Sequence, residues 1–459
     1  MRNLANPYKL FIFLSLVLGT ASSVMGEENA HEPGMMERLD KALAQPDTPF
    51  LENKATLKQA VIVSMRNNFR VMQAKERIYQ AEHGTREAMA DYYPQVQIAS
   101  TWSRKKSTGF DEQDYNQVKG DLITSYNLFS SGQHSETVAK TYLTKQEQEE
   151  RLKGTLEEEI GKVIDAYFSV VYGKLAIETN RNNYEKLLNI LEIVKTKRQL
   201  GAATAGDENS IVASVSNAKT ALINAESTYN NAKDYYEFLT QSKLDSLAPY
   251  ETNFITQVDS FDSVVDDIKR HNTDVNIIET QILSKQKDLL INNAANGLKI
   301  DFSMTNSRRF RNDMLDTTSP TEGRNNDFLA EVTFSILLFD GGKTEAKAAR
   351  ILSEASALAY NLEYTKQDTK WNSYKLYNSV QTNGKTIHTL DTEVDASRLM
   401  VDAYWEKFRL SSQDLITLLQ AQRQLNSAEL ERLRSEKTRI VDYFSLLSKQ
   451  GKLIEFFGF

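Results

Sequence analysis

The chain is written twice. Leu128-Phe129-Ser130-Ser131-Gly132 is echoed by Leu338-Phe339-Asp340-Gly341-Gly342 at 338 − 128 = 210, and a turn at Gly201 returns at Ser411 with 411 − 201 = 210. Asp234 to Leu239 pairs with Asp442 to Leu447 at 442 − 234 = 208, a drift that one short deletion explains. A repeat of this length requires two copies of one supersecondary unit. The predicted copies are residues 55–248 and 249–453, preceded by a signal peptide (1–26) and an N-terminal periplasmic segment (27–54), and followed by a tail (454–459).

Proline sets the length of the elements, because it breaks helix interiors and central strands. Beyond the N-terminal region only Pro94, Pro249 and Pro320 occur, so most of each copy is free to form very long elements. Each copy reads as helix, strand, strand, long helix, turn, helix. The opening helices are predicted over Leu57 to Tyr92 and Val264 to Asn296, the long ones over Thr137 to Leu200 and Thr344 to Leu410. In the long helices apolar residues recur at spacings of three and four, as at Ile160, Val163, Ile164, Tyr167 and Val171. A helix of that length extends on the order of 90 Å at about 1.5 Å per residue.

Between helices the period switches to two. From Phe328 to Ile336 every even position is apolar, while Glu331, Thr333 and Ser335 fill the other face. Gln95 to Trp102 and Lys299 to Met304 alternate likewise, and Leu122, Thr124, Tyr126 and Leu128 line one side of a fourth strand. Polar loops are predicted over Arg104 to Gln117 and Arg308 to Asp327. Four amphipathic strands cannot close a barrel on themselves, since closure takes about eight. Three copies would supply twelve strands, with Val96, Ile98, Trp102, Ile300, Phe302, Phe328, Val332, Phe334 and Ile336 toward lipid and the polar face around an aqueous lumen.

Composition removes other classes. No cysteine is present, which excludes disulfides, thiolate metal sites and a lipid-bearing cysteine. A net charge of -7 without a basic block argues against nucleic acid. His31, His83, His134, His271 and His388 lack ligand spacing, so neither metal nor cofactor is expected. Gly341-Gly342-Lys343-Thr344 lacks the earlier glycine of a phosphate loop and reads as a strand-to-helix bend. With no paired nucleophile and base, no enzyme activity is expected. At the N-terminus, Arg2 and Lys9, the apolar run Leu10 to Leu18 and small residues to Gly26 read as a cleaved export signal, because that run is far below the ~20 residues that span a bilayer. A coiled-coil adaptor or rod would share the long helices but not the alternating strands.

The chain resembles the TolC-like outer-membrane factors over nearly all of residues 27–459. The residues that carry the resemblance are Ala81, Ala88, Tyr93 and Pro94 before the first strand, the two repeated Leu-Phe segments, Gly201 to Asp207, and Asp414 to Gln422. The resemblance implies a homotrimer with a twelve-stranded β-barrel in the outer membrane and a long α-helical barrel in the periplasm. It also implies docking to a periplasmic adaptor and an inner-membrane ABC transporter or other pump. Type I protein secretion is the expected role, because many efflux members carry a lipidated cysteine, with a small-molecule or multidrug efflux duct as the alternative. By the same resemblance the helix-helix turns meet at a periplasmic gate, with Thr204 and Asp207 on one turn and Phe408, Gln413, Thr417 and Gln420 around the other as candidate gate residues. Helix capping by Asp207 and by Asp414 is the alternative role for those carboxylates.

Overall fold

A computed structural model describes residues 35–43, 56–105, 115–244, 260–314, 326–410 and 414–459. The chain divides into two units, residues 1–46 together with Phe459, and residues 47–458. Within residues 1–46 the described part is one short helix, α1 (Met35–Leu43).

The second unit repeats one order of elements. Copy one comprises α2 (Leu57–Asn67), α3 (Phe69–Ala90), β1 (Gln95–Lys105), β2 (Tyr115–Phe129), α4 (Gln133–Gln199) and α5 (Ala205–Thr240). Copy two comprises α6 (Phe261–His271), α7 (Thr273–Ala294), β3 (Lys299–Met314), β4 (Asn326–Ser335), α8 (Lys343–Arg409) and α9 (Leu415–Lys449), after which α10 (Leu453–Phe457) ends the chain. Both α4 and α8 have 67 residues, so each extends about 100 Å at ~1.5 Å per residue.

The predicted opening helices are each two helices. Asn68 and Asn272, 272 − 68 = 204 apart, interrupt them with extended backbone. Asparagine side chains compete for backbone donors, which favours a cap over a helix interior. Asn68 Oδ1 accepts from the N–H groups of Arg70 (2.8 Å) and Val71 (3.2 Å), and Asn272 Oδ1 accepts from Val275 N–H at 3.2 Å. Their amide NH2 groups tie the breaks to neighbours, Asn68 donating to Glu159 Oε2 at 2.8 Å and Asn272 to the Lys449 carbonyl at 3.1 Å. Periodicity alone ran through both positions because the apolar spacing does not change there.

The four strands form one antiparallel sheet in the order β1-β2-β3-β4. β3 continues to Met314 and β1 to Lys105, and β2 already begins at Tyr115, so the loops are shorter than predicted. Those charged residues satisfy their backbone groups in the ladder, which polarity by itself does not disclose. Ile336 falls one residue beyond the end of β4. A bulge between Asn127 and Phe129 skips Leu128, so Phe129, not Leu128, opposes Ile300. The bends from strand to helix hold left-handed backbone at Ser131 and Gly132 in copy one and Gly341 and Gly342 in copy two.

Helix packing builds the core. α4 packs on α3, α5, α7 and α9, and α8 on α7 and α9. Leu152, Leu156, Ile160, Val163, Ile164, Tyr167 and Phe168 are buried on α4. Phe168 stacks on Phe444 at 6.4 Å between centroids, and Phe457 of the terminal helix lies 6.1 Å from the same ring. The tail predicted from residue 454 is therefore a packed helix that begins at Leu453.

Candidate pore surfaces and helix turns

Register decides whether the alternating strands share one face. Val96 opposes Thr124, Ile98 opposes Leu122 and Trp102 opposes Val118. Thr124 opposes Met304 and Tyr126 opposes Phe302, while Ile300, Phe302 and Asn306 oppose Phe334, Val332 and Phe328. Because residues directly opposite one another project to the same side, eight of the nine predicted lipid-facing residues lie on a single face, Ile336 standing outside the ladder. The outer strands of that face are the most exposed, with Ile98 82%, Trp102 68% and Phe334 68% open to solvent, while Ile300 and Phe302 on β3 are half-buried.

The opposite face is polar and internally bonded. Lys119 pairs with Asp121 at 3.0 Å, Ser307 Oγ donates to Asp121 at 2.6 Å, and Arg309 pairs with Asp327 at 3.0 Å. Asn127 Nδ2 donates to Asp301 at 2.7 Å, and Ser303 Oγ donates to Glu331 at 3.1 Å. The outer edges of β1 and β4 have no strand partner in this sheet. An exposed apolar face with two free edges is an aggregation hazard unless lipid covers the face and further strands cover the edges.

At the other end of the long helices lie the two turns. α4 ends in a Schellman arrangement, in which Gly201 (φ +73°) lets its own N–H reach Arg198 O at 3.0 Å and the Ala202 N–H reach Lys197 O at 2.7 Å. α5 then starts with a capping box. Thr204, not Asp207, is the cap, and Asp207 occupies the third helical position. Hydrogen bonds from the Thr204 backbone N–H and hydroxyl hold the Asp207 carboxyl below its usual range. Glu208 in the same turn pairs with Arg198 across the loop.

The remaining candidate gate residues do not form one cluster. Phe408 is buried with Leu187, Ile190, Val194, Ile211 and Leu418 in the core that joins α4, α5, α8 and α9. Lys197 covers it, with Nζ 4.1 Å from the ring centre and donating to the Phe408 carbonyl at 2.5 Å. Thr417 is half-buried and Gln420 exposed on α9, whereas Gln413 and Ser411 lie outside the described residues. Asp414 is the N-cap of α9 but makes no capping hydrogen bond with its side chain. Sequence reasoning passed over Lys197, Arg198 and Glu208. A signal was present, since basic residues end α4 and acidic ones begin α5, each favoured by the helix dipole.

Among the described residues no group of histidines, cysteines or carboxylates could hold a metal, and no helix is long and apolar enough to cross a membrane. An amphipathic hairpin pair carried on paired long helices defines the class of the fold. The sequence model of the family described as "Outer membrane efflux protein" matches residues 63–234 and 264–447, one segment in each copy. The chain belongs to that family, whose members are channels and not enzymes.

Solved structures share the fold. The chain is similar to CusC, a structure concerned with folding and transmembrane channel formation, at a TM-score of 0.76 and 13% identity, covering 86% of this chain and 91% of that one. A membrane protein from Pseudomonas aeruginosa gives 0.76 and 16%, covering 89% and 93%. The CmeC outer membrane channel of Campylobacter jejuni gives 0.75 and 14%, covering 86% of each. No match was found among curated protein sequences.

Proposed function

We propose that three copies of this chain form an exit duct through the bacterial outer membrane, passing substrate from an inner-membrane pump and a periplasmic adaptor to the outside. The observation that carries this reading is the sheet, where one face is apolar on all four strands, exposed on the outer strands β1 and β4 and at Leu122, and both edges are open. Lipid satisfies the face, and neighbouring copies satisfy the edges, closing twelve strands around a polar lumen. The long helices continue that lumen into the periplasm, reached after removal of residues 1–26 as an export signal.

Between the two cargo classes, small-molecule efflux has the better support, because the family description names efflux. Type I protein secretion rested on the absence of a cysteine for lipidation. Lipidation concerns how a duct is anchored and not what passes through it, so that observation bears weakly on cargo.

Mass measurement of the detergent-solubilised protein is expected to give three chains per particle, and a conducting monomer would overturn the assembly. Cargo is read separately. Cells lacking the chain should accumulate dyes and antibiotics while secreting proteins normally; the reverse pattern would assign the duct to protein secretion.

A further inference from the structure

We propose that the outward end of the apolar sheet face binds phosphate-bearing headgroups of the outer lipid leaflet through Arg104 and Arg308. The proposal rests on the reading of that face as lipid-facing. The helices join the sheet at Gln95, Phe129, Lys299 and Ser335, so the ends of β1 and β3 that carry the arginines point away from the periplasm.

Charge is sorted between the two faces. Every acidic strand residue with a described side chain, Asp121, Asp301, Asp327 and Glu331, lies on the polar face with a bonded partner there. Among the described side chains of the apolar face, the only charged residues are Arg104 and Arg308, both exposed.

The two arginines are duplicates of one another. They stand 308 − 104 = 204 apart, the offset that also relates Asn68 to Asn272 and the starts of β1 and β3. Each lies the same distance beyond the first apolar residue of its strand, 104 − 96 = 8 and 308 − 300 = 8. Eight residues of strand cover roughly 26 Å, or about 20 Å of depth at a tilt of ~40°, close to the height of an apolar band about 25 Å tall. Each guanidinium therefore reaches the outer boundary of the hydrocarbon, where lipid phosphates lie. Three copies place six of them in one ring at one depth. Trp102, two residues before Arg104 on the same face, has the amphipathic ring suited to that boundary. Arginine binds phosphate through paired N–H donors in a planar fork.

The test uses the full-length assembly in vesicles of phosphatidylcholine alone or with diphosphorylated lipid A, and counts the lipid A retained after mild detergent extraction. Arg104→Gln with Arg308→Gln is expected to weaken retention about tenfold in total, and Arg309→Gln on the polar face to leave it unchanged. Removing the phosphates from lipid A should abolish the difference. Equal retention by the wild type and the double variant would overturn the proposal. A parallel measurement separates it from the barrel reading: in a Trp371→Phe, Trp405→Phe background, Trp102 is the one tryptophan of the three left and should be quenched by brominated phosphatidylcholine. Quenching without phosphate-dependent retention would overturn the headgroup site alone, whereas no quenching would overturn both.

Discussion

Thr204 and Asp207 satisfy each other at the start of α5: the Asp207 N–H donates to Thr204 Oγ1 at 3.1 Å, and the Thr204 N–H donates to Asp207 Oδ2 at 2.8 Å. The capping role and the proposed gating role of Asp207 are thus open to separation. Thr204→Ala removes the cap and keeps the charge; Asp207→Asn removes the charge. Each substitution should lower stability by about 0.5–1 kcal/mol. In single-channel recordings, only Asp207→Asn should reduce cation preference, because a ring of three carboxylates is lost. Unchanged selectivity in Asp207→Asn would leave the residue with capping alone.

Glu157 gives the fold a pH dependence. It is 5% exposed on α4, and its Oε1 has no hydrogen-bond partner. Burial pushes its carboxyl up to about 8; Lys449 opposes the shift, and Asp274 and Glu150 add to it. Below the unfolded value of 4.5 both states hold the proton and pH has no effect. Between 4.5 and about 8 only the folded state keeps it, so stability falls as pH rises, and the loss levels off above. Glu157→Gln should flatten that window in thermal melts and raise stability at pH 8 by roughly 1–4 kcal/mol. A variant with the wild-type pH profile would refute the assignment.

Gly451 ends α9 with φ +68°, and a Cβ built there would stand 2.5 Å from the His271 carbonyl oxygen. Backbone cannot yield as a side-chain tip does. Gly451→Ala should cost roughly 2–4 kcal/mol, from left-handed strain plus displacement of the α6 end. Differential scanning calorimetry measures this, and a melting temperature within a degree of wild type would show that the junction accommodates the methyl group.

Phe408 is buried in the core that joins α4, α5, α8 and α9. Phe408→Ala should destabilise the turn region by roughly 3–5 kcal/mol, and Phe408→Leu by under about 1.5 kcal/mol. Local hydrogen exchange across residues 187–211 and 404–425 reports it. Protection equal to wild type in the alanine variant would contradict the packing role.

Residue order alone makes legible the duplicated plan, the two long helices, the four strands and eight of the nine apolar residues of their shared face, though not the strand ends. Periods of two and 3.6 are written into neighbouring residues, and proline scarcity is a property of the linear chain, so no tertiary information is needed to read them. The tertiary structure decided what depends on convergence. Asn68 and Asn272 became breaks because α4 and the end of α9 offer their amides partners there. Strand length was set by pairing, which carried β3 through charged residues to Met314, and the bulge at Leu128 exchanged which neighbour meets Ile300. Phe408 and Glu157 were equally opaque in sequence. An aromatic at a turn and a glutamate in an acidic run acquire their meaning only from the helices that close over them, since burial and desolvation are sums over residues far apart in the chain.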